Sequence, residues 1–583
     1  MVIGVTGHRD LIEGDRYDLE KQVRNIFEEI GKNYPHTPMV LLSPLAEGAD
    51  RLVVRVALDL GIHLIVPLPM PRTLYERDFQ TPDSQTEFND LIQRAENWFE
   101  LPLVEGNTEG NIREYGKHRD LQYEAVGKFI VHHSQILIAL WDGESSDLLG
   151  GTAQIVQYWL KDFPQSIGSM LSPPDPVKCG PLYHIMTPRI KNPNPDKAKT
   201  YQKIFPEGYS NNEEAERDYK RIYKSIESFN RDALNFESEL AAKRGASKAY
   251  LIPGLEAETL SYDLKFIREV YTTADTLALY FQGKTLWTLK ALCILALAAV
   301  AFFEAYSHMF HDTHILLLLY PVLLGVAFFF YYRAKQNEYQ NKYQDYRAIA
   351  EGLRVQFFWR LADLPTSVEE HYLGKQRSEL DWIRSAIRVC WSITGGEVNN
   401  TISSGIAPQD IHRMQLVLKH WVENQYTYFN EAGWRDGGQL KSIEQKRNLL
   451  LLLSVGLTFI MAVILTLLGF LFKPNLNKWL EQNRLIHGLL LFIIVSLPAV
   501  IAAVLYTYAE KKALSAQTKQ YAAMKILFDK ARGRLRDLVD LGRYDAARYK
   551  ESQILVEELG KKALEENGDW VLMHRERPLD IPR

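Results

Sequence analysis

Two pairs of apolar runs decide the fold. TLWTLKALCILALAAVAFF (285–303) is followed by ILLLLYPVLLGVAFFFYY (315–332), and LLLLLSVGLTFIMAVILTLLGFLF (449–472) by LIHGLLLFIIVSLPAVIAAVLYTY (485–508). Runs of 18 to 24 residues suit a hydrocarbon core about 30 Å thick at about 1.5 Å rise per residue. One short run of this kind reads equally as a buried core helix. Four of them, spaced as two hairpins, read as transmembrane helices. The lipid bilayer is therefore the first expected partner.

Around these runs lies a chain of 583 residues, too long for one core. Its formal net charge is -4 and its pI about 6.5, so no global basic field points to nucleic acid. Cys179, Cys293 and Cys390 are far apart and lack metal-ligand spacing, which suggests a reducing compartment without a disulfide framework. No metal is expected. The opening MVIGVTGHRD has a strand-sized apolar stretch and no basic n-region, unlike a signal peptide.

Residues 1–190 alternate short β-rich runs with helical patterns. Val2–Thr6, Met39–Ser43, His63–Leu68, Gln135–Trp141 and Tyr183–Thr187 read as strands, with helices near 16–31, 48–60, 117–131 and 152–162. This alternation predicts an α/β Rossmann-like domain with a mostly parallel sheet, ahead of an all-α membrane region with four transmembrane helices in two hairpins. Ligands of such sheets sit beyond the carboxyl ends of the strands.

Those ends carry the candidate ligand-binding residues: Gly7, His8 and Arg9, then Ser43, Glu47, Gly48 and Asp50. Trp141, Asp142 and Gly143 end the fourth strand, and Gly150, Gly151 and Thr152 open the next helix. Glycines let a backbone approach a ligand, and a helix start favours phosphate. Each cluster alone reads as a turn; four at corresponding strand ends point to a nucleotide-like small molecule. Arg9 reads as a phosphate partner or a surface ion pair. Glu47 and Asp50 suit ribose hydroxyls or the dipole of the helix they open. Trp141 suits base stacking or the core. Neither G-x-G-x-x-G nor a Walker A sequence occurs, and no cofactor is indicated beyond that nucleotide-derived ligand.

VIGVTGHRD, LLSPLAEGADR, LIALWDG, GGTA and YHIMTPR, in this order, resemble the SLOG domain, whose Rossmann-like superfamily includes the LOG phosphoribohydrolases. LOG-type enzymes use a glutamate in a PGGxGTxxE motif. The matching stretch here, Gly150 to Val156, lacks it, so the resemblance implies ligand sensing and no catalytic residue. Residues 260–583 are similar to SLATT two-transmembrane effectors, through the helix–hairpin–helix layout, Tyr346-Arg-Ala-Ile-Ala-Glu-Gly-Leu-Arg354 and Trp570-Val-Leu-Met-His-Arg-Glu-Arg-Pro578. Together the two resemblances imply a pore-forming effector, gated or assembled by a nucleotide-derived signal in prokaryotic antiviral defence, and working as a homo-oligomer. The alternative is a membrane-anchored nucleotide hydrolase in which Glu47, Asp50 or Asp142 does acid–base work.

The expected domains are 1–190 (nucleotide sensing), 191–256 (linker and connecting helix), 257–365 (first SLATT-like module) and 366–583 (second, with C-terminal cytoplasmic helices). Residues 189–212, rich in Pro, Asn and Lys, read as linker. Lys290 lies about one turn inside the first run, where its stem lets it snorkel. The loop 304–314 has no Lys or Arg, whereas Lys265, Arg268, Lys284, Arg333, Lys335 and Lys342 flank the first hairpin. This bias predicts a multi-pass protein with both termini cytoplasmic, and the resemblance implies that the membrane is the prokaryotic inner membrane. The runs hold no Asp, Glu or Arg, so no selective filter is written in the obvious way. Ser454, Thr458, Thr466 and Ser496 suit a pore wall or bonds to their own helix. Pro321 and Pro498 suit kinks. His308, His311 and His314, beside Asp312, have the spacing of a metal or pH site should that loop be helical.

Overall fold

The computed structural model describes every residue except 147, 162–179, 194, 196–200, 208, 309–312, 373–379, 394–407, 540–544 and 579–583. Among the described residues, seven strands form one sheet. They are β1 (Val2–Gly7), β2 (Val40–Leu42), β3 (His63–Leu68), β4 (Asn97–Glu100), β5 (Ile136–Trp141), β6 (Leu182–Met186) and β7 (Gln202–Ile204), in the order β4-β3-β2-β1-β5-β6-β7. Every neighbouring pair is parallel except β6 with β7. The strand order reverses between β1 and β5, so their carboxyl ends form the topological switch point of an α/β sheet.

Two strands differ from the expectation. β4 has alternating half-buried and exposed residues, and β7 is a three-residue stretch inside the expected linker. Both are sheet edges, where one side meets solvent and the apolar run of a central parallel strand is not required.

The described chain packs as two compact units, and each is assembled from separate pieces. The first is Met1–Ala242 with Gly254–Tyr271 and Asp363–Gly405; the second is Lys243–Pro253 with Thr272–Ala362 and Ile406–Arg583. Two of the divisions, at 253/254 and 362/363, fall beside the expected boundaries at 256 and 365, and none falls near 190. A parallel sheet must be covered on both faces, and later segments help to do it. Phe266 and Val389 pack on the cluster formed by Val2, Val40, Leu42 and Ile65. Ser385 accepts a hydrogen bond from Gln135 Nε2, and Arg388 Nε donates to Glu369 at 2.9 Å within the buried interior. A second cluster joins Val126, Ile130, Ile155, Val156 and Trp159 to β5 and β6.

The second unit is helical. Four helices are long and apolar enough to cross a membrane. Only 6% to 17% of their apolar windows is buried in the protein, which a core helix would not tolerate and a lipid-facing one requires. The first apolar run continues as helix to His308, where a loop was expected from residue 304, and the next helix is His314–Gln336. His311 and Asp312 lie outside the described residues. The third span belongs to the helix Asn424–Gln482. The fourth is broken: Arg484–Leu491, a wide π turn at Phe492–Ser496, then Leu497–Lys511 with Pro498 in its first turn. Proline offers no N–H and crowds the preceding turn, and the π turn accommodates both defects.

The polar residues of the spans divide in two. Thr458 and Thr466 donate to the Ser454 and Ala462 carbonyls of their own helix. Ser454 donates to the Val495 carbonyl at 3.0 Å, and Ser496 to Glu304 Oε2 at 3.0 Å, so these two tie helices together. Beyond the spans, Trp359 Nε1 donates to the Val556 carbonyl at 3.2 Å. Gly560 lies so near the indole that a Cβ there would meet Nε1 at 2.2 Å. The chain passes between the two units several times, once inside the helix Tyr262–His308, after Tyr271.

Candidate functional site

At the switch point, β1 runs into His8 and β5 into Asp142. His8 Nε2 lies 3.0 Å from Asp142 Oδ1, and Arg189 Nε donates to Asp142 Oδ2 at 2.7 Å. Asn192 Nδ2 reaches the same oxygen at 3.4 Å. Burial pushes the Asp142 pKa up, but hydrogen bonds from His8, the Glu144 backbone and Arg189 outweigh it and hold the carboxyl below its ordinary value. Burial pushes the His8 pKa down despite its bond to Asp142. At neutral pH the cluster is therefore a carboxylate facing a guanidinium, with an uncharged imidazole between strands. It is internally satisfied and closes the crevice over β1 and β5.

A second polar cluster stands at the ends of β1, β2 and β3. Arg9 is exposed, its guanidinium 5.4 Å from the centroid of the Tyr123 ring, and it makes no ion pair among the described residues. Below it Asp50 is buried. Burial raises its carboxyl to about 7, against the nearby Arg9 charge and a backbone hydrogen bond at Ala46. Asp78 is buried beside them, accepting from Arg119 Nη2 at 2.6 Å and from the Tyr123 hydroxyl. Tyr75, Asp78, Arg119 and Tyr123 belong to this cluster and lie outside the strand-end motifs. The only signal for Asp78 was its place after β3, in the third connection at the same sheet edge.

The remaining candidates have assigned places. Gly7 pairs with Leu140 of β5. Gly48 adopts φ +82°, and a Cβ there would lie 2.4 Å from the Arg9 carbonyl, so glycine is required where the two loops meet. The first N–H of the helix Ala49–Asp59 is already taken, Ala49 donating to the His8 carbonyl at 3.0 Å. Ser43 is buried and accepts from the Leu45 N–H. Glu47 accepts from Ser84 Oγ. Trp141 lies against the His184 ring, centroids 5.3 Å apart, and donates to the Glu144 carbonyl. Gly143 faces Met186.

Gly150 has φ +70° and packs on the Tyr123–Glu124 backbone; its N–H donates to Gln154 Oε1 at 2.7 Å. Gly151 donates to the Leu148 carbonyl, and Thr152 opens the helix Thr152–Leu160. Ile155 and Val156, which follow Gly150-Gly151-Thr152 on the same helix, are core residues. The structure thus brings the first, second and fourth strand-end clusters into contact around Arg9 and Tyr123. Among the described residues no group of three or more His, Cys, Asp or Glu could hold a metal. No family model and no curated protein matches the chain.

Proposed function

We propose that this chain is a ligand-gated membrane effector. Its sheet unit binds a nucleotide-derived signal at the strand ends, and its four apolar helices form or assemble a pore. The observation that carries this reading is an exposed arginine with no ion pair among the described residues. Arg9 stands over an aromatic ring at the carboxyl edge of a switch-point sheet, in a chain that also carries four membrane-capable helices. A guanidinium placed there suits a phosphate, and the ring gives a base or ribose an apolar surface. The helix Tyr262–His308, part of both units, is one covalent route for a signal. The charge bias of the first hairpin supports cytoplasmic sheet units, where a nucleotide would be met. Assembly as a homo-oligomer and a defence role in the prokaryotic inner membrane follow from the SLOG and SLATT resemblance.

Full-length protein in dye-loaded liposomes tests the reading. A nucleotide that binds should raise leakage, and Arg9→Gln should abolish the response. Binding without a permeability change would remove the gating claim.

Asp50 favours a second reading, a membrane-anchored nucleotide hydrolase. A carboxyl raised to about 7 is poised for acid–base work at neutral pH. Product analysis after incubation with nucleoside monophosphates separates the two. Turnover lost in Asp50→Asn would favour the enzyme; binding without product favours the sensor.

A further inference from the structure

One unassigned feature lies wholly within the helical unit. A cavity of about 530 Å³ is lined by the polar extensions of the apolar helices together with the C-terminal helix Ala546–Arg575. Two sequence stretches more than two hundred positions apart meet in it: Arg347, Glu351 and Arg354 come from the 346–354 stretch, and Trp570, His574 and Arg577 from the 570–578 stretch. Both stood out in the sequence, and neither has a role in the strand-end site.

Three observations point to a ligand. The first is unsatisfied polarity. Gln344 is 1% exposed, lines the cavity, and has neither amide atom in a hydrogen bond among the described residues. Gln425 Oε1 and Thr285 Oγ1, also on the wall, are in the same condition. Buried groups of this kind are costly unless something fills the space they face. The second is charge. Arg347, Arg354, Arg435, Lys511, Lys512 and Arg577 line it with three carboxylates, Glu351, Asp436 and Glu566, and Arg347 and Arg577 also pair with Asp275 and Glu510 outside the wall, which leaves an excess of one positive charge. Arg347 and Arg354 share Glu351. The third is size, since the volume falls within the roughly 300–1,000 Å³ of small-molecule sites.

We infer that this cavity is a second ligand site, specific for a phosphate ester whose polar body hydrogen-bonds the amides of Gln344 and Gln425. The arginines pre-oriented by Glu351 supply phosphate contacts, and Trp570 and Tyr428 add apolar walls. Lys511 and Lys512 follow the fourth apolar helix directly, so the ester has two sources, a free nucleotide or an anionic lipid headgroup.

The test uses full-length protein carrying Arg9→Gln, which removes the strand-end phosphate contact. Its melting midpoint is measured in detergent with adenosine monophosphate, and again in phosphatidylglycerol vesicles against phosphatidylcholine vesicles. The site predicts a rise of about 3 °C or more with one of the probes. A rise with the nucleotide assigns a soluble source; a rise with phosphatidylglycerol alone assigns the headgroup. Adding Gln344→Leu should abolish the rise while leaving the unliganded midpoint equal or higher. Arg435→Gln, at an exposed position on the cavity wall, should weaken binding of the responding probe about tenfold, by loss of one charge contact, without touching the core. No rise with either probe, or a rise that survives both substitutions, would overturn the site.

Discussion

The two units treat buried polarity in opposite ways. In the sheet unit, the crevice at the switch point is filled by its own side chains, His8, Asp142 and Arg189, with each charge matched. In the helical unit, a cavity of about 530 Å³ keeps amide groups without partners. The first arrangement stabilises a fold and leaves Arg9 exposed at the rim. The second carries a cost in the unliganded state, as sites kept for something else do.

Breaking the satisfied cluster should have the largest effect. Asp142→Ala leaves Arg189 and His8 facing an emptied position, and a broken buried pair costs about 3–5 kcal/mol. Thermal melting of the full-length protein should show a clear fall for this variant, and no fall would mean that the crevice is open. Next comes Asp50. Its folded pKa of about 7 lies above the ordinary 3.8, so between these values the folded state holds the extra proton. Stability from this group is complete below about pH 4 and is lost as pH rises through 7. Asp50→Asn should therefore stabilise the protein at pH 8 by the order of a few kcal/mol, with the gain shrinking by pH 5. Melting curves at the two pH values check the sign.

Smaller effects sharpen the other side of the comparison. Gln344→Leu removes an unpartnered buried amide and should raise the unliganded midpoint by about 1–2 kcal/mol equivalent. A clear fall would mean that the amide is satisfied by ordered water. The smallest stability change belongs to Arg9→Gln, within about 0.5 kcal/mol for an exposed side chain without an ion pair, although its effect on ligand response should be complete.

Much of the sheet was readable because central parallel strands are continuous apolar runs: ILIALW in β5 has no other reasonable reading. The candidate residues His8, Arg9 and Asp142 were readable for a related reason. They follow strands directly, so position in sequence gives position at the sheet edge, and Asp50 opens the helix that follows β2. β4 and β7 escaped because edge strands of three or four residues carry no such pattern. Asp78, Arg119 and Tyr123 meet from separate segments, and no local spacing encodes their contact. The cavity is the extreme case. Gln344 sits in a helix, Tyr339–Leu361, buried on nearly every side, so the one-sided stripe that would separate wall from surface is absent. Only the apolar lengths of the spans were legible there, and they were enough to show the membrane helices.

The central claim is that ligand at the sheet unit controls the membrane helices. Dye leakage from liposomes holding the full-length protein tests it most directly, with wild type and Arg9→Gln compared across a nucleotide panel. The account predicts leakage that rises with at least one nucleotide in the wild type and stays at its basal level in the variant. Leakage that is the same in both proteins, with or without a nucleotide shown to bind, would contradict it.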